Sequence, residues 1–197
     1  MSTSSVNQAR RRFLTITTAV VGGAGVAAAS VPFFKVWNPS SQARALGAPV
    51  EVNLSKLDVG QMIRIIWRGQ PVWIVHRSDK NITELQQIRA QLSDPDSQQQ
   101  QQPTYAQNQY RSIYPQYFIA IGLCTHLGCA PTYFPQDFEQ HVQGIHAGFF
   151  CPCHGSTFDM AGRVFKDVPA PVNLSIPPHY YRDEQNLVIG IDPDGEA

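Results

Sequence analysis

Two short segments constrain this chain more than any other feature. Cys124-Thr125-His126-Leu127-Gly128-Cys129 and Cys151-Pro152-Cys153-His154-Gly155-Ser156 stand 21 residues apart and contain all four cysteines of the 197-residue chain. Each supplies a Cys and a His in a tight turn, Cys124-x-His126 and Cys151-x-x-His154, and each adds one further Cys, Cys129 and Cys153. Cysteines used as small hydrophobes scatter through a core. Clustered like this, they point to a metal site, a disulfide or both. Two thiolates and two imidazoles suit a tetrahedral metal, either zinc or iron–sulfur. Zinc fingers space Cys pairs and His pairs separately, whereas here Cys and His are mixed within each box, and a four-ligand zinc site would leave two cysteines idle. In an exported domain two spare thiols can oxidise to a disulfide that ties one box to the other.

The N-terminus reads as a membrane address. Residues 13–34 (FLTITTAVVGGAGVAAASVPFF) carry no charge, and as a helix they would span roughly 33 Å, the hydrocarbon thickness of a bilayer. Arg10, Arg11 and Arg12 precede the run and belong on the cytoplasmic side by the positive-inside rule, which puts residues after about 35 outside. Arg10-Arg11-Arg12-Phe13-Leu14 also resembles a twin-arginine export signal, whose core is R-R-x-F-L. Ala43-Arg44-Ala45 has the small-x-small form of a cleavage site, but the apolar run is longer than a usual signal core, so the expectation is an uncleaved anchor. The organisation expected is a cytoplasmic N-terminus with the signal at 1–12, a transmembrane helix at 13–35, a flexible hinge or linker at 36–49, and an exported domain at 50–197.

Residues 1–50 hold five basic residues and no acid, and the remainder holds 15 acidic against ten basic. A mildly acidic body argues against nucleic acid as a partner, since that needs a basic patch. Asn38 to Pro49 (NPSSQARALGAP) reads as a linker, which could span up to about 40 Å if extended. Beyond it the chain looks β-rich. Met62–Trp67 and Pro71–His76 flank Arg68-Gly69-Gln70 as a hairpin, Tyr117–Leu123 reads as a buried strand leading into Cys124, and Leu187–Ile191 as a closing strand. Asn81–Leu92 places Ile82, Leu85, Ile88 and Leu92 at helical spacing, with Asn81 as the cap. Ser93–Pro103, with five glutamines at 98–102, reads as a mobile, low-complexity surface loop.

C-T-H-L-G-C followed by C-P-C-H-G-S resembles the two signature boxes of the Rieske proteins of quinol–cytochrome c reductases. The resemblance extends to the anchor, to Ala45-Leu46-Gly47-Ala48, to Trp67-Arg68-Gly69-Gln70-Pro71-Val72 and to Pro169-Ala170-Pro171. Ring-hydroxylating dioxygenases and their ferredoxins also carry Rieske boxes but usually lack the second cysteines, so Cys129 and Cys153 point away from them. The resemblance implies a mainly β, antiparallel domain with a cluster-binding subdomain at about 122–172 and one [2Fe–2S] cluster. It implies that Cys124 and Cys151 hold one iron, that His126 and His154 hold the other, and that Cys129 pairs with Cys153. It further implies that Ser156 donates to a bridging sulfide, that Leu127 and Gly128 face the quinol site, and that Pro169, Ala170 and Pro171 cover the cluster. Gly162 fits a hairpin turn. The implied assembly is a quinol–cytochrome c reductase in the bacterial inner membrane, with the N-terminus cytoplasmic and the Rieske domain periplasmic. Cytochrome b, a c-type cytochrome, ubiquinol and the membrane are the partners, within a dimeric complex, and the chain is not an enzyme alone.

One position departs from many high-potential relatives, which have Tyr two residues after the box serine; here it is Phe158. Neutral imidazoles in place of thiolates raise the potential of such a cluster, and metal on one ring nitrogen makes the other N–H more acidic. A ligand His can therefore accept a proton together with the electron; His154 is the first candidate and His126 the second. In this family the head swings between cytochromes on a hinge within Ala43–Ala48. His76, His141, His146 and His179 are expected in surface or core roles, Trp67 and Trp73 in the core, and Trp37 at the membrane interface. Two alternatives stay open at this point: the small Rieske subunit of an exported molybdenum oxidase of the arsenite-oxidase type, and a zinc-stabilised binding module without redox activity.

Overall fold

The computed structural model describes residues 7–192, Leu46 by its backbone alone; residues 1–6 of the N-terminal segment and 193–197 of the exported domain lie outside the described residues. The chain divides into two units, Met1–Ala45 and Leu46–Ala197.

The first unit is built on helix α1, Gln8–Val36. It starts earlier than the apolar run because the Asn7 side chain accepts the backbone N–H groups of Ala9 and Arg10, satisfying donors that a bare helix end would leave open. Arg10–Arg12 thus lie in its first turns. No residue of α1 is buried against protein, and two of its hydroxyls return to the helix backbone, Thr15 to the Arg11 carbonyl and Ser30 to the Ala27 carbonyl, which keeps them satisfied without water. Among the described residues this is the one helix long and apolar enough to cross a membrane. Trp37 caps its end, 86% exposed. The linker is not extended throughout: Ser41–Leu46 forms a short helix, α2. Ser40 Oγ accepts the Ala43 N–H, and Gln, Ala, Arg and Leu favour helix once capped, so the reach is shorter than an extended chain would give.

The second unit contains three antiparallel three-stranded sheets. The first joins β1 (Val50–Asn53) to β9 (Asn186–Ile189) and β8 (His179–Tyr181) in the order β1-β9-β8; the second is β2 (Met62–Trp67), β3 (Gln70–His76) and β4 (Tyr117–Ile121); the third is β5 (Thr132–Phe134), β6 (Gly148–Phe150) and β7 (Thr157–Phe158). Trp67 pairs with Gln70, so the hairpin turn is the two residues Arg68 and Gly69 rather than three. Both have positive φ, 51° and 73°, the backbone that matches strand twist in a two-residue turn. The expected strand at Tyr117–Leu123 ends at Ile121, and Gly122 N–H still bonds the Pro71 carbonyl.

The second sheet separates two cores by side-chain alternation. From β3 and β4, Trp73, Val75, Phe118 and Ala120 pack with Cys124, Cys151, Phe149 and Phe158. Their neighbours Val72, Ile74 and Ile119 pack the other way, with Trp67, Leu187 and Ile189. The cysteine boxes therefore stand on an aromatic floor.

Two expectations need correction. The helix after β3, α3, runs Asp79–Gln87 and is capped by Ser78, not Asn81. Ser78 Oγ accepts the Asn81 N–H, and Asn81 Oδ1 accepts the Ser78 N–H, a reciprocal capping box with Asn in the third position. Leu85, Ile88 and Leu92 are buried and Ile82 is half-buried, although a 3-10 turn at Arg89–Gln91 breaks the α-helix. The glutamine segment is not a free loop. Asp94 accepts the Gln98 and Gln99 N–H groups, Gln102 Nε2 donates to the Ser97 and Gln99 carbonyls, and Ile176 N–H donates to the Gln101 carbonyl. The low complexity of the residues says nothing about the backbone and amide groups that tie them down.

Candidate metal centre

The first box connects β4 to β5 and the second turns between β6 and β7, so sheet ends present both. Their backbones are alike. Cys124 N–H donates to the Cys129 carbonyl (2.7 Å) while the Cys124 carbonyl accepts from Gly128 (2.9 Å); Cys151 N–H donates to the Ser156 carbonyl (2.8 Å) while the Cys151 carbonyl accepts from Gly155 (2.9 Å). Gly128 and Gly155 have φ of +79° and +80°, a conformation that costs any other residue roughly 1–2 kcal/mol. Cys124 and Cys151 are therefore equivalent positions in paired loops, and Cys129 is equivalent to Ser156. A disulfide between Cys129 and Cys153 clamps the loops together.

Cys124 and Cys151 remain free and buried. Burial pushes the Cys124 thiol above its usual range. The nearby His126 backbone N–H and Ser156 hydroxyl pull the other way, while the neighbouring Cys151 thiol adds to the rise. The rings of His126 and His154 meet edge-on with centroids 4.7 Å apart. Nδ1 of His126 is buried without a hydrogen-bond partner, an arrangement that costs about 1–3 kcal/mol unless something binds there. Two buried free thiols and two imidazoles in mutual contact, one with an orphaned nitrogen, are a donor set that fits a metal centre held from both boxes. Cys129 and Cys153 lie close to Cys151, all three sulfurs within 4.8 Å, but joined to each other they offer no thiolate.

A third loop closes over the boxes. Ala170 N–H donates to Ser156 Oγ (3.0 Å), leaving the Ser156 proton free to point inward. Thr125 Oγ1 donates to the Val172 carbonyl (2.6 Å). Ala170 is buried between exposed Pro169 and Pro171. Leu127 is 71% exposed, with Gly128 beside it, so the tip of the first box offers an apolar side chain to solvent. Phe158, on β7, is fully buried in the core that holds Cys124 and Cys151.

The other histidines stay apart from the boxes. His76 Nδ1 bonds the Leu57 carbonyl, His141 stacks on Phe150 with centroids 3.9 Å apart, and His146 is half-buried. His179 is buried against the Pro177 carbonyl, and its burial lowers its pKa. Trp67 and Trp73 are core residues as expected. Sequence reasoning passed over Thr125, which fastens the third loop, and three fully buried arginines, Arg77, Arg111 and Arg163. The Asp159 and Arg163 pair, four residues apart around the Gly162 turn, was the available signal for the last of these.

Two protein families match the chain: "Ubiquitinol-cytochrome C reductase Fe-S subunit TAT signal" over residues 1–40 and the Rieske [2Fe-2S] domain over residues 49–178. The ubiquinol-cytochrome c reductase iron-sulfur subunit of Allochromatium vinosum is 52% identical over 196 residues, covering 98% of this chain and 93% of that protein. The subunit of the same name from Bradyrhizobium diazoefficiens is 39% identical over 190 residues, covering 96% and 98%. Among solved structures, a chain of a hyperthermophilic respiratory Complex III aligns with a TM-score of 0.49 at 24% identity, over 88% of this chain and 98% of that one.

Proposed function

This chain belongs to the Rieske [2Fe–2S] iron–sulfur subunits of ubiquinol–cytochrome c reductase, and from that membership we propose that it takes one electron and one proton from a quinol and passes the electron to a c-type cytochrome subunit. It does so as one part of a complex with cytochrome b, anchored by α1 in the bacterial inner membrane with the second unit in the periplasm, and so contributes to the proton gradient. The TAT signal match and the apolar helix support an exported, membrane-anchored subunit. Full-length similarity to reductase subunits favours this reading over the molybdenum-oxidase alternative, and the Rieske domain match sets the zinc module aside.

Cys124 and Cys151 would hold one iron and His126 and His154 the other; the bound cluster supplies one-electron chemistry at a potential raised by imidazole ligation. The observation that carries this assignment is the buried, orphaned Nδ1 of His126 on a loop that also supplies a buried, free thiol and is clamped by a disulfide to its counterpart. His154, exposed at the tip, presents its outward ring nitrogen to the quinol hydroxyl and holds the transferred proton there. Leu127 and Gly128 dock against the quinol pocket and exclude water from that contact. Ser156 turns its hydroxyl proton toward the sulfur side of the site, and Pro169, Ala170 and Pro171 cover it. Phe158 offers no donor where a tyrosine would, so negative charge on the sulfurs is less stabilised. Phe158→Tyr is accordingly expected to raise the midpoint potential in an EPR-monitored redox titration; an unchanged or lower value contradicts that role.

Transfer between two separate partners requires the head to move, and the segment around Gly47 and Ala48, between α2 and β1, is the proposed hinge. Ala48→Pro, which would create a stiff Pro-Pro step, is expected to slow quinol–cytochrome c turnover several-fold while leaving the cluster's spectrum intact. Unchanged turnover would make the segment a static spacer.

A further inference from the structure

Arg77, Arg111 and Arg163 are each less than 2% exposed, and burying a guanidinium is expensive unless it is paired. Of the three, only Arg163 has a carboxylate partner among the described residues, Asp159, at 2.7 Å. Arg77 donates to the Pro115, Tyr110, Met160 and Tyr117 carbonyls and to Ser112. Arg111 donates to the Ala161, Gly162 and Leu174 carbonyls and to Gln102. These acceptors satisfy Arg77 fully and Arg111 except at its buried Nε, and they leave the charge of both uncompensated. Asp94 is the second buried carboxylate, so three cations face two anions. Burial lowers Arg77 and Arg111 to about 9, with Asp159 opposing, and both stay charged at neutral pH.

The position of this excess charge is the informative point. All three side chains reach the turn Asp159–Arg163, which directly follows Phe158 and the second box. The Arg77 guanidinium lies over the Phe118 ring, 5.6 Å from its centroid, and Phe118 packs in the core that contains Cys124 and Cys151. Two ferric ions, two sulfides, two thiolates and two neutral imidazoles sum to zero charge, and one electron from the quinol makes the sum negative. A fixed cation behind the site favours the reduced state.

We propose that Arg77, Arg111 and Arg163 form a buried cationic plate behind the second box that raises the midpoint potential of this subunit. The proposal rests on the ligand set given above. One unit charge acting over a distance on the order of 12 Å at an effective dielectric constant of about 20 changes the reduced-to-oxidised ratio about tenfold, which is about 59 mV for one electron.

The test is an EPR-monitored redox titration of the full chain in native membranes at one pH, with Arg77→Gln, Arg77→Lys and Asp159→Asn. Arg77→Gln removes charge and should lower the ratio about tenfold. Arg77→Lys loses the hydrogen-bonding fork but keeps the charge, and should stay much closer to wild type. Asp159→Asn removes a negative charge and should shift the potential upward. Equal shifts in the two Arg77 variants, or a downward shift in Asp159→Asn, would mean that the arginines act only through packing and would overturn the proposal. If Arg77→Gln fails to assemble, the sign of the Asp159→Asn shift still decides. Loss of the cluster signal in the wild type would instead sink the ligand assignment.

Discussion

Replacing His126 by Gln should strip the chain of its iron. Its Nδ1 is enclosed and has no protein partner, so the amide inherits a pocket shaped for a metal-bound ring and cannot supply an equivalent ligand. Loss of groups that merely orient a metal ligand typically costs 10–100-fold in affinity, and loss of the ligand itself should exceed about 100-fold. The expected readout is full-length protein with no reduced-cluster EPR signal and little iron by metal analysis. His146→Gln, half-buried and away from the boxes, serves as the control and should retain both. Retention of iron in His126→Gln would remove this residue from the ligand set.

Removing the clamp should cost stability as well as protection of the site. Cys129 and Cys153 are 24 residues apart, and closing a loop of about that length stabilises a fold by about 3 kcal/mol in the chain-entropy account. For a domain of this size each kcal/mol corresponds to about 2–4 °C in Tm, so Cys129→Ser with Cys153→Ser should melt about 6–12 °C lower. Without the clamp no covalent link joins the two box loops, which are then held by their own turns and by the third-loop contacts of Thr125 and Ser156, so iron should also be lost faster on incubation with a chelator. A double variant that melts like the wild type and holds iron as long would show that the aromatic floor alone fixes the boxes.

The chemistry of the site was far more legible in the sequence than its scaffold. Cys124, His126, Cys151 and His154 stood out as candidate ligands because metal ligation demands particular atoms in tight turns, and the structure places them on two loops with matching backbone hydrogen bonds; the positive φ of Gly128 and Gly155 emerged only from the structure. The hairpin around Arg68 and Gly69 was visible for an equally local reason. Asn81 misled because Asn suits both the cap and the third position of a capping box, and only the geometry of Ser78 separates the two. The short helix in the linker escaped because Pro, Ser and Gly punctuate the segment, while one serine, Ser40, caps a run of five helix-forming residues from Gln42 to Leu46. The glutamine segment and the buried arginines were opaque for a different reason. Their partners are carbonyls contributed by distant parts of the chain, such as Leu174 to Arg111 and Leu85 to Arg163, and no local pattern encodes them.

The central claim is that two sulfurs and two imidazoles, supplied equally by the paired loops, hold a pair of irons. Purified full-length protein assayed for metal and acid-labile sulfide, and then reduced for EPR, addresses it directly. Two irons and two sulfides per chain, with a one-electron signal abolished in His126→Gln, is the predicted result. Zinc in place of iron, or iron whose EPR signal is unaltered when His126 and His154 are both replaced, would contradict it.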